Sequence, residues 1–283
     1  MKIALIGQGI SHSLTPSLHM SEGEANGIAY QYDLVDISKP QFEKRSIGQL
    51  LEFLKSECYH GANITYPFKV QVLGELSVCS EIVDKISSSN TVVLRDGKWI
   101  GDNTDAYGFQ MMLKEGMGQV RAKSALLLGA GGAGKAVIAG CAQYGLERLW
   151  VYDPNPDATN DIQNLSKYFP NLEIIATNDV ASAMQSADGV INATPIGMNS
   201  EGMSPLNPSL LASHHFVADI VYFPLETELL KQGASKGCRV ISGAQMAVYQ
   251  AAKAFEIFTG IKPNEERMKV NLAQLIAGKG NEI

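Results

Sequence analysis

ALLLGAGGAGKAVIAGCAQYGLERLWVYD, residues 125–153, is the stretch that decides the fold. Residues 125–128 are a short apolar run of strand length, and it ends in Gly129-Ala130-Gly131-Gly132-Ala133-Gly134. From Lys135 the apolar residues Ala136, Val137, Ala139, Cys141 and Ala142 recur at helical spacing until Gly145. Residues 149–152 read as a second strand that ends in Asp153. Strand, glycine turn, helix, strand and acid make the βαβ unit that holds a dinucleotide.

Each part has a physical task. Gly129 permits the tight turn, Gly131 lets backbone approach a pyrophosphate, and Gly134 lets the helix pack close to the sheet. The helix N-terminus offers unpaired N–H groups and partial positive charge to phosphates. Asp153 follows Gly132 by about 20 residues, the offset at which an acid accepts bonds from the adenosine ribose.

At 283 residues the chain has room for two domains and a substantial core. Its 45% hydrophobic and 18% charged content is that of a soluble globular protein. A formal net charge of −6 argues against a nucleic-acid or anionic-membrane surface. Cys58, Cys79, Cys141 and Cys238 are scattered without metal spacing and read as reduced thiols, so no metal is expected. The apolar run after Met1 is too short for a signal peptide, and none is long enough to cross a membrane. A cytoplasmic location is the expectation.

Residues 2–6 read as a first strand running into a polar loop at 7–16. A helix is expected over 17–26, a strand over 28–35, a helix over 41–58, a strand over 61–65 and a helix over 80–88. Residues 91–94 and 99–101 flank Asp96-Gly97 as a β-hairpin. A helix over 106–114 leads to the glycine stretch. Beyond Asp153, strands at 172–176, 189–192, 216–221 and 239–241 alternate with helical segments, the rhythm of a doubly wound parallel sheet. Helices over 244–258 and 263–277 close the chain.

Several blocks with correct separations carry a resemblance. They are His12-Ser13-Leu14-Thr15-Pro16, Gly61-Ala62-Asn63-Ile64-Thr65-Tyr66-Pro67-Phe68-Lys69, Asn90-Thr91, Asp102-Asn103-Thr104-Asp105 and the glycine loop. Further on stand Asn192-Ala193-Thr194-Pro195-Ile196-Gly197-Met198, Asp219-Ile220-Val221-Tyr222 and the run from Met246 to Gln250. The chain resembles the shikimate dehydrogenase family nearly end to end, and most closely its NAD-using quinate/shikimate dehydrogenase branch. It departs from the family pattern at Gly9 (usually proline), Thr15 (commonly serine), Met20 (asparagine) and Ser88-Ser89 (Ala-Val).

The resemblance implies an α/β protein of two domains. An N-terminal α/β substrate domain (residues 1–104 with 243–283) would be joined to a Rossmann-type doubly wound parallel sheet (residues 105–242). A C-terminal helix would return to the first domain. The implied catalytic pair is Lys69, handling the proton of a secondary alcohol, and Asp105. Ser13 and Thr15 match the family's carboxylate-binding hydroxyls, and Thr65, Asn90, Tyr222 and Gln250 would ring the substrate. Gly129, Ala130, Gly131, Gly132, Ala133, Asp153, Thr194, Met198 and Gly243 would line the cofactor.

Blander readings stand beside these. Lys69 suits a solvated helix turn, Asn103-Thr104-Asp105 an N-cap, Ser13 and Thr15 a hydroxyl-rich turn, and Gln250 a bond to a backbone carbonyl. His12 and His19 read as structural. NADP users of the family place an arginine just after the second strand, whereas Asp153 is followed by Pro154, Asn155 and Pro156. NAD is therefore expected over NADP, with Lys135 and Arg148 the nearby side chains long enough to compete. The partner expected is a small hydroxylated acid, shikimate or quinate, bound by a monomer or homodimer. An NADP-dependent biosynthetic shikimate dehydrogenase, a reductase of another hydroxylated ring acid and a non-catalytic dinucleotide sensor are the alternatives.

Overall fold

The computed structural model describes residues 1–198 and 202–279. The chain divides into two compact units, Met1–Thr104 with the C-terminal part from Gln250, and Asp105–Tyr249. Chain order through the first is β1 (Lys2–Gly7), α1 (Thr15–Ala25), β2 (Gln31–Asp36), α2 (Ile47–Ser56) and β3 (Gly61–Ile64). It continues with β4 (Val78–Cys79), α3 (Glu81–Ile86), β5 (Thr91–Arg95) and β6 (Lys98–Asp102). Helix α4 (Thr104–Met117) leads into β7 (Ser124–Leu128), α5 (Gly132–Tyr144), β8 (Arg148–Tyr152), α6 (Pro156–Gln163) and β9 (Glu173–Ala176). Then come α7 (Val180–Ser186), β10 (Gly189–Asn192), β11 (Phe216–Asp219), α8 (Glu228–Ser235), β12 (Arg239–Ser242), α9 (Ala244–Thr259) and α10 (Glu265–Lys279).

The first unit is built on a mixed sheet of order β2-β1-β3-β5-β6-β4. Strand β1 lies parallel to β2 and β3, and β5 runs antiparallel to β3 and β6. Residues on β1 alternate between two cores, as the two-residue period of a strand requires. Ile3 and Leu5 pack with Tyr32, Ala254 and Phe258, whereas Ala4 and Ile6 pack with Leu50, Leu51 and Leu54 of α2. The expected hairpin is present, its turn made by Asp96 and Gly97 at φ +50° and +73°, the left-handed pair that a two-residue turn needs.

Helix α2 starts later than its apolar pattern predicts. Ser46 forms a capping box with Gln49, its hydroxyl accepting the Gln49 N–H at 3.2 Å while the Gln49 side chain accepts the Ser46 N–H at 2.9 Å. That cap satisfies the first turn and leaves residues 41–44 as turns. The expected strand over 28–35 likewise begins only at Gln31, after Gly27 turns the chain at φ +69°.

The C-terminal helix returns to the first unit and packs on α1. Glu22, fully buried on α1, accepts Arg267 Nε at 2.8 Å, Arg267 Nη2 at 2.6 Å and the Asn264 N–H at 2.9 Å. His19, also fully buried, is structural. Its Nδ1 meets the Tyr30 hydroxyl at 3.2 Å, and burial holds its pKa down to about 3.

The second unit is a parallel sheet of order β12-β11-β10-β7-β8-β9. Leu126, Leu128, Val190 and Val217 are buried against Met184, Leu229 and Leu230. The second division between the units falls between Tyr249 and Gln250, inside α9. The first turns of α9 belong with the second unit because the Tyr249 hydroxyl donates to Glu115 at 2.7 Å. No helix of the described residues is long and apolar enough to cross a membrane.

Candidate active site

In the second unit the strand order reverses between β7 and β10, and in open α/β sheets ligands bind at the carboxyl ends of strands flanking such a point. The glycine turn sits there. Gly129 adopts φ +97°, and a Cβ on it would meet the Ala193 carbonyl carbon at 2.9 Å. A Cβ on Gly134 would lie 2.2 Å from the Gly129 oxygen, so close packing of α5 demands glycine. Gly131 faces open space, where an added Cβ meets nothing within 4 Å. Helix α5 begins at Gly132, three positions ahead of the apolar pattern, because glycines carry no periodicity to read. This open glycine turn at a helix N-terminus fits a dinucleotide diphosphate, with Ala130, Gly131, Gly132 and Ala133 beside it.

Asp153 follows β8 and braces that turn. Its Oδ2 accepts the Ala130 N–H at 2.8 Å and its Oδ1 the Asn155 N–H at 2.8 Å. Lys135 is not held by it, and Arg148 stands at the opposite end of β8. Lys135 pairs with Asp161 of α6 at 3.2 Å, and Arg148 pairs with Glu173 at 2.6 Å.

The loops after β10 and β11 are tied by one buried network. Asp219 accepts the Asn192 amide at 2.9 Å and the Val221 N–H at 3.0 Å on Oδ1, and the Thr227 hydroxyl at 2.7 Å on Oδ2. Asn192 Oδ1 in turn accepts the Thr194 N–H at 2.9 Å and its hydroxyl at 2.7 Å. The Val221 bond also ends β11 at Asp219, two residues before the apolar run ends. Burial pushes the Asp219 carboxyl up, opposed by these donors. Thr194 lies against the glycine turn, Met198 is half exposed beyond it, and Gly243 leaves no room for a Cβ over the Asp219 and Ile220 carbonyls. Tyr222 follows on the same loop as Val221, its phenol pushed up by burial.

In the first unit, the carboxyl ends of β1, β3 and β6 and the amino end of β5 lie at one end of the sheet. Ser13 stands on the loop after β1 and Thr15 begins α1, and the Ser13 hydroxyl accepts the Thr15 N–H at 3.3 Å. Thr65 and Lys69 follow β3, bound to the same end through Thr65 N–H to Ile6 O (2.9 Å) and Ser89 N–H to Lys69 O (2.8 Å). Lys69 is half-buried in a turn, not in a helix. Asn90 precedes β5 and is 3% exposed. Gln250 is half-buried on α9, one turn before the core residue Ala254. Thus Ser13, Thr15, Thr65, Lys69 and Asn90 share one end of the first sheet, while Asp105, Tyr222 and the glycine turn belong to the second unit.

Models of the shikimate dehydrogenase substrate binding domain and the shikimate 5'-dehydrogenase C-terminal domain match residues 5–92 and 243–269. A shikimate dehydrogenase (NADP(+)) of Pseudarthrobacter chlorophenolicus is 39% identical over 280 residues, covering 98% of this chain and 96% of its own. The chain belongs to the shikimate dehydrogenase family. A quinate/shikimate dehydrogenase (NAD(+)) of Corynebacterium efficiens is also 39% identical, over 277 residues that cover 96% of this chain and 98% of its own. The structure of a quinate dehydrogenase from Corynebacterium glutamicum in complex with NAD superposes with a TM-score of 0.88 at 34% identity, covering 97% of this chain and 99% of that one. The protein is accordingly an oxidoreductase of alcohol groups that uses a nicotinamide dinucleotide.

As a family member the chain has further residues at these sites that motif reading passed over. Asp36 ends β2 and Asp153 directly follows β8, and an acid closing a strand was the available signal. Asn63 and Thr91 form a buried relay with Asn90, and Thr227 anchors Asp219. Asn63 and Thr91 stand inside the motif blocks, but their pairing joins two strands, and Thr227 lies outside the Asp219 block.

Proposed function

We propose that the enzyme oxidises a secondary alcohol of shikimate, and of quinate, with NAD. The observation that carries the cofactor choice is the surroundings of Asp153. A carboxylate follows β8, prolines and asparagine come after it, Lys135 is engaged by Asp161, and Arg148 stands at the far end of the strand. A 2′-phosphate would meet like charge there, which costs several kcal/mol in unfavourable juxtapositions. Gly129, Ala130, Gly131, Gly132, Ala133, Asp153, Thr194, Met198 and Gly243 would hold the dinucleotide. When bound, it supplies the hydride acceptor.

The chain's own residues handle position and protons. Ser13 and Thr15 present hydroxyls to the ring carboxylate, and Thr65, Asn90, Tyr222 and Gln250 present donors and acceptors to ring hydroxyls. Lys69 takes the proton from the alcohol oxygen during oxidation and returns it during reduction, and Asp105 orients that hydroxyl.

The Pseudarthrobacter relative named for NADP favours a second reading, an NADP-dependent shikimate dehydrogenase. A matrix of kcat/KM for shikimate and quinate against NAD and NADP decides between them. Equal or better turnover with NADP overturns the NAD assignment.

A further inference from the structure

We propose that Asp36 is a positioning residue for ring-acid binding: its carboxylate fixes the loop that presents the Ser13 and Thr15 hydroxyls. This rests on the reading of those hydroxyls as carboxylate ligands. Asp36 is the last residue of β2 and stands across the parallel ladder from Gly7, the last residue of β1. Its Oδ1 accepts the Gly9 N–H at 2.9 Å and its Oδ2 the Ile10 N–H at 3.0 Å. The Ser38 N–H at 3.0 Å and the Ser38 hydroxyl at 2.7 Å complete the shell. The residue is 2% exposed, so these bonds compete little with water. Bonds to an ionised acceptor are roughly twice as strong as neutral ones. Burial pushes this carboxyl up, but the Ser38 hydroxyl and the amides of Ser38, Gly9 and Ile10 outweigh it and hold it below its ordinary value.

The clamp reaches the hydroxyls through short links. Ile10 O accepts the Ser13 N–H at 2.9 Å, and the Ser13 hydroxyl accepts the Thr15 N–H at 3.3 Å. The Ile10 side chain is anchored separately, in the core with Leu5 and Tyr32. The loop therefore has a charged anchor and an apolar anchor just before Ser13.

Gly9 suits this arrangement. It adopts φ +67° and donates to Asp36, whereas a proline, usual here in the family that the sequence resembles, has φ near −65° and no N–H. A turn that a proline would stiffen covalently is held here by a carboxylate. The second unit repeats the device. Leu128 pairs with Tyr152, so Gly129 and Asp153 are the next residues along the ladder, and Asp153 accepts the Ala130 and Asn155 amides as Asp36 accepts those of Ile10 and Ser38. In each unit, an acid at the end of the second strand holds the loop that follows the first.

Asp36→Asn keeps the size of the side chain but turns one acceptor into a donor, so at least one clamp bond is lost. The experiment measures kcat and KM for shikimate and quinate at saturating NAD, the NAD dissociation constant by fluorescence titration, and the urea midpoint. The expected result is a roughly tenfold rise in ring-acid KM, with kcat within about threefold and NAD affinity within about twofold. Ser38→Ala removes one donor while leaving the charge and the backbone, and is expected to raise ring-acid KM by roughly threefold. It provides the readout should Asp36→Asn not fold. A ring-acid KM within twofold of wild type in the folded variants, or a parallel loss of NAD affinity, overturns the proposal. Ser13→Ala separates the two levels. If it leaves ring-acid KM unchanged, the reading of the loop fails and the proposal with it. If it raises KM while Asp36→Asn does not, the positioning role alone fails.

Discussion

The Asn90 side chain grips both the backbone and the side chain of Thr104: Asn90 Oδ1 accepts the Thr104 N–H at 2.7 Å, and Asn90 Nδ2 donates to the Thr104 hydroxyl at 3.0 Å. The pair ends a relay that crosses the first sheet. The Tyr32 hydroxyl donates to Asn63 at 2.7 Å, Asn63 donates to the Thr91 hydroxyl at 3.0 Å, and that hydroxyl donates to Asn90 at 2.9 Å. One rotamer of Asn90 satisfies all of these partners, and the start of α4, just before Asp105, is set by the same amide. Asn90→Ala leaves the Thr104 N–H buried without this acceptor, at a cost of about 1–3 kcal/mol. Urea denaturation should show a lower midpoint at unchanged slope, and KM for the ring acid should rise as well.

Replacing Lys69 by alanine should lower kcat by roughly 10²–10⁴-fold, the usual worth of a positioned acid or base. NAD affinity should stay within about twofold, since the lysine lies in the first unit and the glycine turn in the second. Steady-state kinetics with a parallel NAD titration checks both parts. A kcat within a few-fold of wild type means that another group moves the proton.

Cofactor choice should follow the charges around β8. The kcat/KM with NAD should exceed that with NADP by roughly a hundredfold or more. Asp161→Asn releases Lys135 from its ion pair and should narrow that gap several-fold, with most of the gain in NADP affinity. The gain should shrink at high salt. Binding of 2′,5′-ADP against 5′-ADP measures the effect without turnover.

Quinate carries one hydroxyl more than shikimate at the carboxylate-bearing carbon, and an unpartnered buried hydroxyl costs about 1–3 kcal/mol. Thr15 begins α1 beside Ser13, and its β-branch restricts χ1 so that its hydroxyl points one way. Both compounds should be oxidised, and Thr15→Ser should change the ratio of their kcat/KM values more than it changes NAD affinity. If millimolar quinate gives no NADH signal while shikimate is turned over, the dual-substrate reading is wrong.

Acid should loosen the return of the C-terminal helix. Burial alone would raise the Glu22 carboxyl, but Arg267, the Asn264 amide and the Asn26 side chain hold it below its usual 4.5. A carboxyl with a depressed folded pKa contributes stability that is fully present above its unfolded pKa and is lost as pH falls through the folded one. Tm should therefore drop as pH falls below about 4.5, and Glu22→Gln should flatten this limb of the curve. Differential scanning calorimetry across pH compares the two.

Several of these features were legible in the residues alone. The βαβ unit at residues 125–153, the Asp96-Gly97 hairpin and the helical stripe of α9 depend on spacing within a few turns or strands, and short-range sterics write that spacing directly into the chain. The ends of elements were less legible. Ser46 cuts α2 short through a side-chain cap, and Asp219 ends β11 by taking the Val221 N–H, whereas apolar patterns report burial and not caps.

The sequence by itself determined that this chain holds a dinucleotide turn, that an acid and no arginine follows its second strand, and that the motif blocks of the shikimate dehydrogenase family stand in order. Only the tertiary structure decided which groups hold those motifs in place. Asp36 holding Gly9 and Ile10, the relay from Tyr32 to Thr104, Asp219 joining two loops and Asp161 engaging Lys135 all join residues from separate elements. The physical reason is range. A hydrogen bond or ion pair between distant residues depends on strand order, register and burial, which are fixed only once the sheets have formed.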